Sequence, residues 1–251
     1  MNINLTNKVI LVTGASRGIG LAIASALGES GARVAIHYNS NPELAAALSN
    51  ELPGSVAFKA NLEVAAEVVT LFDKVVEKMG RIDVLINNAG IALSSPVIEP
   101  DEVWLANWKK TMAVNLDATG LLCKKAIPHF INNGKGIIIN ISSRAAFRGD
   151  TEDYLAYAAS KGGIVALTRS IARAYGKQGI TAYTIAPGFT RTAMAEQFID
   201  AYGEDYAKND IALNDLTQPA DIAPIIVFLA SGMAAHATGA TIDVNAGSYV
   251  H

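Results

Sequence analysis

The chain has 251 residues, 51% of them hydrophobic, and a formal net charge of −3, which suits one large α/β domain with strands buried on both faces. It contains no basic run, which excludes the cationic surface that nucleic-acid binding requires. A single cysteine, Cys123, excludes an internal disulfide and fits a reducing compartment. The histidines fall at no metal-ligand spacing, and no apolar run reaches membrane length. The composition predicts a soluble, cytoplasmic protein without a metal site.

A glycine-rich turn follows the first predicted strand. The strand is the apolar run from Val9 to Thr13, and Thr13-Gly14-Ala15-Ser16-Arg17-Gly18-Ile19-Gly20 leads from it into a helical period. Glycine lets a backbone come close to a pyrophosphate, and a helix N-terminus offers N–H groups and positive dipole charge. A glycine spacing alone is common in turns, but its place between a strand and a helix indicates nucleotide binding.

The second predicted strand, Arg33 to Tyr38, bears on the choice of cofactor. In a dinucleotide fold, an Asp or Glu at the end of this strand grips the ribose hydroxyls of NAD. Here Tyr38-Asn39-Ser40 carries no acid. Because a carboxylate would repel a 2′-phosphate, its absence with Arg17 nearby favours NADP over NAD. The alternative interpretation is that Arg17 is a solvated turn residue.

Strands and helices then alternate along the chain. This alternation predicts a doubly wound, parallel α/β sheet, and no linker or internal repeat divides it. The further predicted strands are Ser55 to Ala60, Ile82 to Asn87, Gly136 to Ser143 and Ala240 to Val244. The further predicted helices are Pro42 to Leu52, Val64 to Met79, Asp101 to Phe130, Tyr154 to Tyr175 and Gln218 to Ala230.

Polar residues mark the ends of two strands and the middle of one helix. Asn87-Asn88-Ala89-Gly90 closes the fourth strand, where small residues permit close approach of a cofactor. Ser142 and Ser143 end the fifth strand, at the edge where open α/β sheets bind ligands. Because no histidine and acid accompany these serines, we interpret them as supplying a hydrogen-bond donor rather than a nucleophile. Asn115, in mid-helix, points to solvent or carries a water if the helix is distorted.

Tyr157 and Lys161 are the candidate acid and base. They lie four residues apart in a predicted helix, so both side chains can address the same small volume. A phenol titrates near pH 10, and a nearby cation favours its ionised form and lowers its pKa. Tyr157 could then exchange a proton with a carbonyl or an alcohol. The pair alone is weak, since Tyr and Lys meet at this spacing on many solvated helix faces.

Six motifs together resemble the classical short-chain dehydrogenase/reductases. The likeness covers essentially the whole chain and is strongest to the 3-oxoacyl-[acyl-carrier-protein] reductases. It implies a single Rossmann-like domain over residues 1–251, with a seven-stranded parallel sheet and an NAD(P) cofactor. The motifs are Thr13-Gly14-x-x-x-Gly18-x-Gly20, Asn87-Asn88-Ala89-Gly90, Asn115, Ser142-Ser143, Tyr157-x-x-x-Lys161 and Pro187-Gly188.

The resemblance also implies roles for the site residues. Tyr157 would be the general acid/base, and Lys161 would lower its pKa and hold the nicotinamide ribose. Ser143, favoured over Ser142 by its separation from Tyr157, would polarise the carbonyl oxygen. Asn115 would support a water that relays protons to Lys161. The cofactor-binding set is Gly14, Ser16, Arg17, Gly18, Ile19, Gly20, Tyr38, Asn39, Ser40, Asn61, Leu62, Asn88, Ala89, Gly90, Tyr157, Lys161, Pro187, Gly188, Thr190 and Thr192.

The leading functional hypothesis is an NADPH-dependent reductase that converts a ketone to a secondary alcohol. The resemblance suggests a 3-oxoacyl-[acyl-carrier-protein] substrate, with Lys135 and Lys177 as basic residues at the mouth of the site. The charged segment from Arg144 to Asp153 favours instead a small polar ketone, sugar or alcohol. A third possibility is a catalytically silent nucleotide-binding regulatory protein. The resemblance further implies a homo-oligomer, a tetramer or a dimer, and a substrate-covering lid at about residues 190–215.

Overall fold

The computed structural model describes residues 3–193, 195, 203, 205 and 208–250. The strands are β1 Val9–Val12, β2 Arg33–Tyr38, β3 Val56–Lys59, β4 Val84–Asn87, β5 Gly136–Ile141, β6 Ile180–Pro187 and β7 Thr241–Val244. The α-helices placed among them are α1 Gly18–Glu29, α2 Pro42–Glu51, α3 Ala65–Met79, α4 Asp101–Met112, α5 Ala118–Asn132, α6 Ala145–Arg148, α7 Leu155–Tyr175 and α8 Pro219–Ser231.

All seven strands form one parallel sheet in the order β3-β2-β1-β4-β5-β6-β7. The chain first runs outward from β1 to β3 and then returns to β4 on the other side of β1. Connections that leave β1 and β4 therefore diverge, which opens a crevice at the carboxyl edge of the sheet. The predicted doubly wound, seven-stranded parallel sheet is confirmed.

The hydrophobic core lies on both faces of the sheet. Successive side chains of a strand point to opposite faces, and in β1 Ile10 and Val12 join one apolar cluster while Val9 and Leu11 join the other. All four side chains are fully buried. The first cluster lies under α1, α2 and α8, and the second under α3, α5 and α7. Burial on both faces explains why this strand is continuously apolar instead of alternating.

The long predicted helix around Asn115 is not a regular α-helix. A π-helical turn, Ala113–Asp117, joins α4 to α5. Single π turns inside helices are uncommon and frequently lie at functional sites. Asn115 is fully buried within this turn, which removes the alternative that its amide points to solvent.

The structure describes only part of the predicted lid. Residues 194, 196–202, 204, 206 and 207 lie outside the described part of the chain. At the two ends of the segment, Thr190 and Thr217 form a parallel bridge, and the Arg191 amide donates to the Thr217 carbonyl at 2.9 Å. The flanks of the segment are thus held side by side at the carboxyl edge of the sheet. In the part of the chain that the structure describes, every helix is too short or too polar to cross a membrane.

Candidate active site

An open cleft of about 990 Å³ lies at the carboxyl edge of the sheet, where the strand order reverses. The glycine-rich turn and the ends of β2, β3 and β4 line one part of it, and Ser143, Tyr157 and Lys161 line another. Every residue of the predicted catalytic and cofactor-binding sets contributes to this lining except Asn115 and Tyr38. Motifs that lie more than a hundred residues apart in the sequence therefore meet at one site.

The position of Tyr38 corrects the predicted cofactor-binding set. Its ring packs against the apolar cluster under α1 and α2 and does not line the cleft. Neighbouring side chains of a strand point to opposite faces, so His37 and Asn39 lie on the cleft side where Tyr38 was expected. Sequence reasoning missed His37, although the period of two within β2 would have indicated it.

The glycine-rich turn has the shape that a pyrophosphate requires. Gly14 has a φ of +64°, a conformation that costs a residue with a Cβ. A Cβ on Gly20 would lie 2.1 Å from the Gly14 carbonyl oxygen, so only glycine fits there. The turn leads into the N-terminus of α1, whose first amides and dipole favour an anion. These residues fit the diphosphate of a dinucleotide.

Asn88 joins the turn to the end of β4. Its side-chain amide donates to the carbonyls of Thr13 at 2.9 Å and Gly14 at 3.2 Å. In return, Thr13 Oγ1 accepts from the amides of Asn88 at 2.9 Å and Ala89 at 3.0 Å. The two strand ends that flank the crevice are therefore held at a constant separation.

The two serines after β5 have different environments. Ser142 Oγ donates to the Lys161 carbonyl at 2.8 Å and is buried. Ser143 Oγ accepts from the Ala145 amide at 3.1 Å and is hydrogen-bonded to the Tyr157 phenol. The hydroxyl of Ser142 is thus committed to the Lys161 carbonyl, whereas that of Ser143 interacts with Tyr157, which supports the choice of Ser143 over Ser142.

The predicted direction of the Tyr157 pKa is reversed in the structure. Burial raises the pKa of Tyr157 to about 12, and the Ser143 hydrogen bond opposes this only in part. The Lys161 Nζ lies 5.6 Å from the centre of the tyrosine ring and donates to the Ile141 carbonyl at 2.9 Å. Loss of water around the phenol thus outweighs the opposing effects of the Ser143 hydrogen bond and of the Arg144 charge.

Lys161 is itself perturbed by burial. Its side chain is 3% exposed, and burial lowers the pKa of Lys161 to about 8. The ammonium lies beside Gly90, where an added Cβ would be 3.3 Å from Lys161 Nζ and 3.4 Å from Asn115 Oδ1. Lys161 Nζ and Asn115 Oδ1 therefore both lie close to Gly90.

The Lys161 pKa predicts how stability depends on pH. Between about 8 and its ordinary value of 10.5, the unfolded chain binds more protons than the folded chain, so stability rises with pH. The stability that the neutral, buried Lys161 amine contributes is fully present above pH 10.5 and is lost as the pH falls to about 8. We expect the unfolding free energy of the wild type, minus that of Lys161→Met, to increase over this range in urea titrations. A constant difference would contradict the buried position of the amine.

Asn115 lies behind the cleft wall and does not line the cleft. Its Oδ1 accepts from the Ile91 amide at 2.8 Å, and its Nδ2 donates to the Ile91 carbonyl at 2.9 Å and to Ser160 Oγ at 3.0 Å. The side chain therefore connects the segment after β4 to α7. Support of a relay water by Asn115 stays a prediction.

A cluster of charged residues lies at the end of the cleft near Ser143 and Tyr157. Arg144 and Arg148 both bind the Asp210 carboxylate, Arg148 at 2.6 Å, and Arg144 also lies over the Phe189 ring at 4.8 Å. Asp150 lines the same end. The sequence indicated the charges of the Arg144 to Asp153 segment, but nothing in it indicated Asp210, which comes from a distant part of the chain.

The two lysines expected at the mouth of the site lie elsewhere. Lys135 directly precedes β5, and Lys177 lies in a short 3-10 turn that precedes β6. Both are therefore at the amino edge of the parallel sheet, opposite the cleft. Their predicted contact with a carrier protein at the mouth is wrong, because the direction of the strands places residues before a strand far from residues after it.

Comparisons with known proteins agree with this site. A family described as Enoyl-(Acyl carrier protein) reductase matches residues 14–249. The 3-oxoacyl-[acyl-carrier-protein] reductase FabG of Staphylococcus aureus is 38% identical over 247 residues, which are 97% of this chain and 98% of that protein. The D-threitol dehydrogenase of Mycolicibacterium smegmatis is 37% identical, over 97% of this chain and 93% of its own length.

A solved structure shows the same architecture. The short chain dehydrogenase of Burkholderia cenocepacia J2315, in complex with NADP, superposes with a TM-score of 0.90 at 30% identity and covers 98% of this chain and 99% of its own. Family, relatives and structure agree on the reaction class. The chain belongs to the short-chain dehydrogenase/reductase family and is an NAD(P)-dependent oxidoreductase that acts on alcohol and carbonyl groups.

Proposed function

We propose that the protein reduces a ketone to a secondary alcohol with NADPH and that Tyr157 donates the proton. The observation that carries this proposal is the placement of Ser143, Tyr157 and Lys161 on the same cleft as the glycine-rich turn. NADPH supplies the hydride, and the chain supplies positioning and proton handling.

The raised pKa of Tyr157 suits the direction of reduction. A phenol with a pKa of about 12 keeps its proton at neutral pH, so the form that can donate to a carbonyl oxygen is the dominant one. Ser143 Oγ accepts from the Ala145 amide, which leaves its own hydrogen to donate. Two O–H donors can therefore converge on one carbonyl oxygen, where negative charge develops during reduction.

Lys161 and Asn115 position other parts of the proposed active site. In this proposal the Lys161 ammonium, anchored on the Ile141 carbonyl, holds the ribose next to the nicotinamide. Asn115 holds the Ile91 backbone at 2.8 and 2.9 Å and so keeps the adjoining Gly90 close to Lys161. Both residues position groups in the cleft without taking part in the hydride step.

The preference for NADPH over NADH rests on the residues that follow β2. Asn39, Ser40 and Asn41 line the cleft together with Arg17, and none of the residues directly after β2 is acidic. At the end of β2, a 2′-phosphate would therefore meet a cation and neutral polar side chains instead of a carboxylate.

Asn39→Asp tests the cofactor preference with an almost isosteric change. A carboxylate at this position would repel the 2′-phosphate, so we expect the ratio of kcat/KM for NADPH to that for NADH to fall about tenfold or more. Steady-state kinetics with both cofactors gives this ratio. Asn50→Asp is the matched control, because it adds the same charge at the end of α2 and away from the cleft. An unchanged ratio in Asn39→Asp would exclude Asn39 from the 2′-phosphate site.

Two substrate classes fit this mechanism. The curated relatives named 3-oxoacyl-[acyl-carrier-protein] reductase support a 3-oxoacyl thioester. The charged cluster of Arg144, Arg148, Asp150 and Asp210 supports a small polar ketone or sugar, since such groups bind hydroxyls better than an alkyl chain. The relative named D-threitol dehydrogenase favours the second class as well.

A substrate panel with both cofactors separates these possibilities. The panel contains an acetoacetyl group on acyl carrier protein, the same group on coenzyme A, and a series of small hydroxyketones. Oxidation of NADPH is followed by absorbance. Turnover of the carrier-bound substrate alone supports the first class, and turnover of hydroxyketones alone supports the second. Tight binding of NADPH without turnover of any carbonyl would overturn the proposal in favour of a regulatory nucleotide-binding protein.

A homo-oligomer and a cytoplasmic location stay predictions. Val103 and Leu105 of α4 and Leu155 of α7 are exposed apolar side chains, as expected of helices that pack against another subunit.

A further inference from the structure

His37 has a buried imidazole with both ring nitrogens in use. The side chain is 2% exposed and lies one residue before the end of β2. Its Nδ1 lies 3.0 Å from the Gly14 amide nitrogen, and its Nε2 lies 3.1 Å from the Ala60 carbonyl oxygen. The ring therefore connects the glycine-rich turn to the end of β3.

The backbone partners determine the protonation of the ring. An amide N–H can only donate and a carbonyl oxygen can only accept, so Nδ1 must carry the lone pair and Nε2 the hydrogen. Burial lowers the pKa of His37 to about 4, which keeps the ring neutral and this tautomer intact at neutral pH. Both hydrogen bonds require that single state.

The backbone of His37 adds a third contact with the turn. Its carbonyl accepts from the Ala15 amide at 2.9 Å. Two successive amides of the turn, those of Gly14 and Ala15, are therefore bonded to one residue of β2. Asn88 holds the opposite side of the turn through the Gly14 carbonyl. The positive φ of Gly14 is thus maintained from both neighbouring strands.

We propose that His37 is a positioning residue for the cofactor that sets the distance between the pyrophosphate and the adenine sites. The proposal rests on the assignment of this cleft to NAD(P). The Gly14 turn is where the pyrophosphate binds, and Ala60 directly precedes Asn61 and Leu62, which line the cleft at the adenine end. Because the ring holds both segments in place in the free protein, a nucleotide that contacts both of them binds with a smaller entropic cost of ordering.

Two substitutions separate the two hydrogen bonds. In His37→Asn, the side-chain oxygen takes the place of Nδ1 and still accepts from Gly14, while the bond to Ala60 is lost. In His37→Gln, the amide nitrogen takes the place of Nε2 and still donates to Ala60, while the Gly14 amide loses its acceptor. A buried amide without a partner is costly, so we expect the dissociation constant for NADPH to rise about tenfold in His37→Gln and clearly less in His37→Asn.

The test measures binding directly by calorimetry, so it does not depend on turnover. NADPH, NADH and ADP-ribose are titrated into the wild type, both variants and the control His236→Gln, an exposed histidine outside the cleft. We expect ADP-ribose to show the same loss as NADPH, because the nicotinamide is not involved, and the KM for the carbonyl substrate to stay unchanged. Wild-type affinity for all three ligands in folded His37→Gln, or in folded His37→Asn, would overturn the proposal.

A measurement on the wild type covers the case in which a variant does not fold. Nitrogen-15 NMR of labelled histidine distinguishes the two neutral tautomers of the ring. We expect hydrogen on Nε2 and none on Nδ1, in the free protein and with NADPH bound. The opposite tautomer, or a ring that is charged at neutral pH, would overturn the proposal. A wild type that binds NADPH but turns over no ketone would count against the proposed function and leave the role of His37 standing.

Discussion

Tyr157→Phe is expected to lower kcat by about 10²- to 10⁴-fold, the usual contribution of a positioned proton donor. The substitution removes only the hydroxyl that is hydrogen-bonded to Ser143. The aromatic ring, and with it the wall of the cleft, stays in place. The affinity for NADPH is therefore expected to change little. Steady-state kinetics and a calorimetric titration with NADPH check the two halves of this prediction.

The matched control is Tyr175→Phe, at the other end of α7 and outside the cleft. It removes the same phenolic hydroxyl from the same helix and should leave kcat unchanged. A Tyr157→Phe enzyme that retains a tenth of the wild-type activity would remove Tyr157 from the role of proton donor.

Ser143→Ala and Ser142→Ala should differ in their effect on activity. Removal of Ser143 Oγ deletes a hydrogen-bond donor that faces the carbonyl oxygen, which typically costs about 10²- to 10³-fold in kcat. Removal of Ser142 Oγ deletes a buried hydrogen bond to the Lys161 carbonyl, which typically costs ~1 kcal/mol of stability. We therefore expect the Ser143 variant to be nearly inactive and the Ser142 variant to remain active, with a similar loss of stability in both because Ser143 Oγ also accepts from the buried Ala145 amide.

Steady-state kinetics measures kcat of the two variants, and thermal unfolding measures their stability. Equal losses of kcat in the two variants would mean that either serine can polarise the substrate, or that the loop after β5 acts only as a unit. A fully active Ser143→Ala enzyme would leave Tyr157 as the single donor to the carbonyl oxygen.

Much of the candidate site could be predicted because its parts are local patterns. The glycine-rich turn between a strand and a helix, the serine pair at a strand end and the spacing of Tyr157 and Lys161 are each visible within a few residues. The alternation of strands and helices places every strand end at one edge, so these patterns meet once the sheet is parallel. That is why the residues predicted for the cleft lie there, with the exceptions of Tyr38 and Asn115.

Three predictions that the structure corrects have physical reasons that concern direction and burial. Tyr38 was assigned to the cofactor because it ends a strand, but the strand's alternation turns its ring to the core and puts His37 in the cleft. Lys135 was assigned to the mouth, although it precedes β5 and so lies at the opposite edge. The Tyr157 pKa was expected to fall beside a cation, whereas loss of water raises it to about 12.

The amino-acid sequence by itself determined the order of the elements, the doubly wound sheet and the residues able to handle a proton and a dinucleotide, because these follow from local periodicity and short motifs. Tertiary structure alone decided that His37 connects Gly14 to Ala60 and that Asp210 joins Arg144 and Arg148. Such contacts join residues far apart in the chain, and their strength depends on how much water the fold removes from each group.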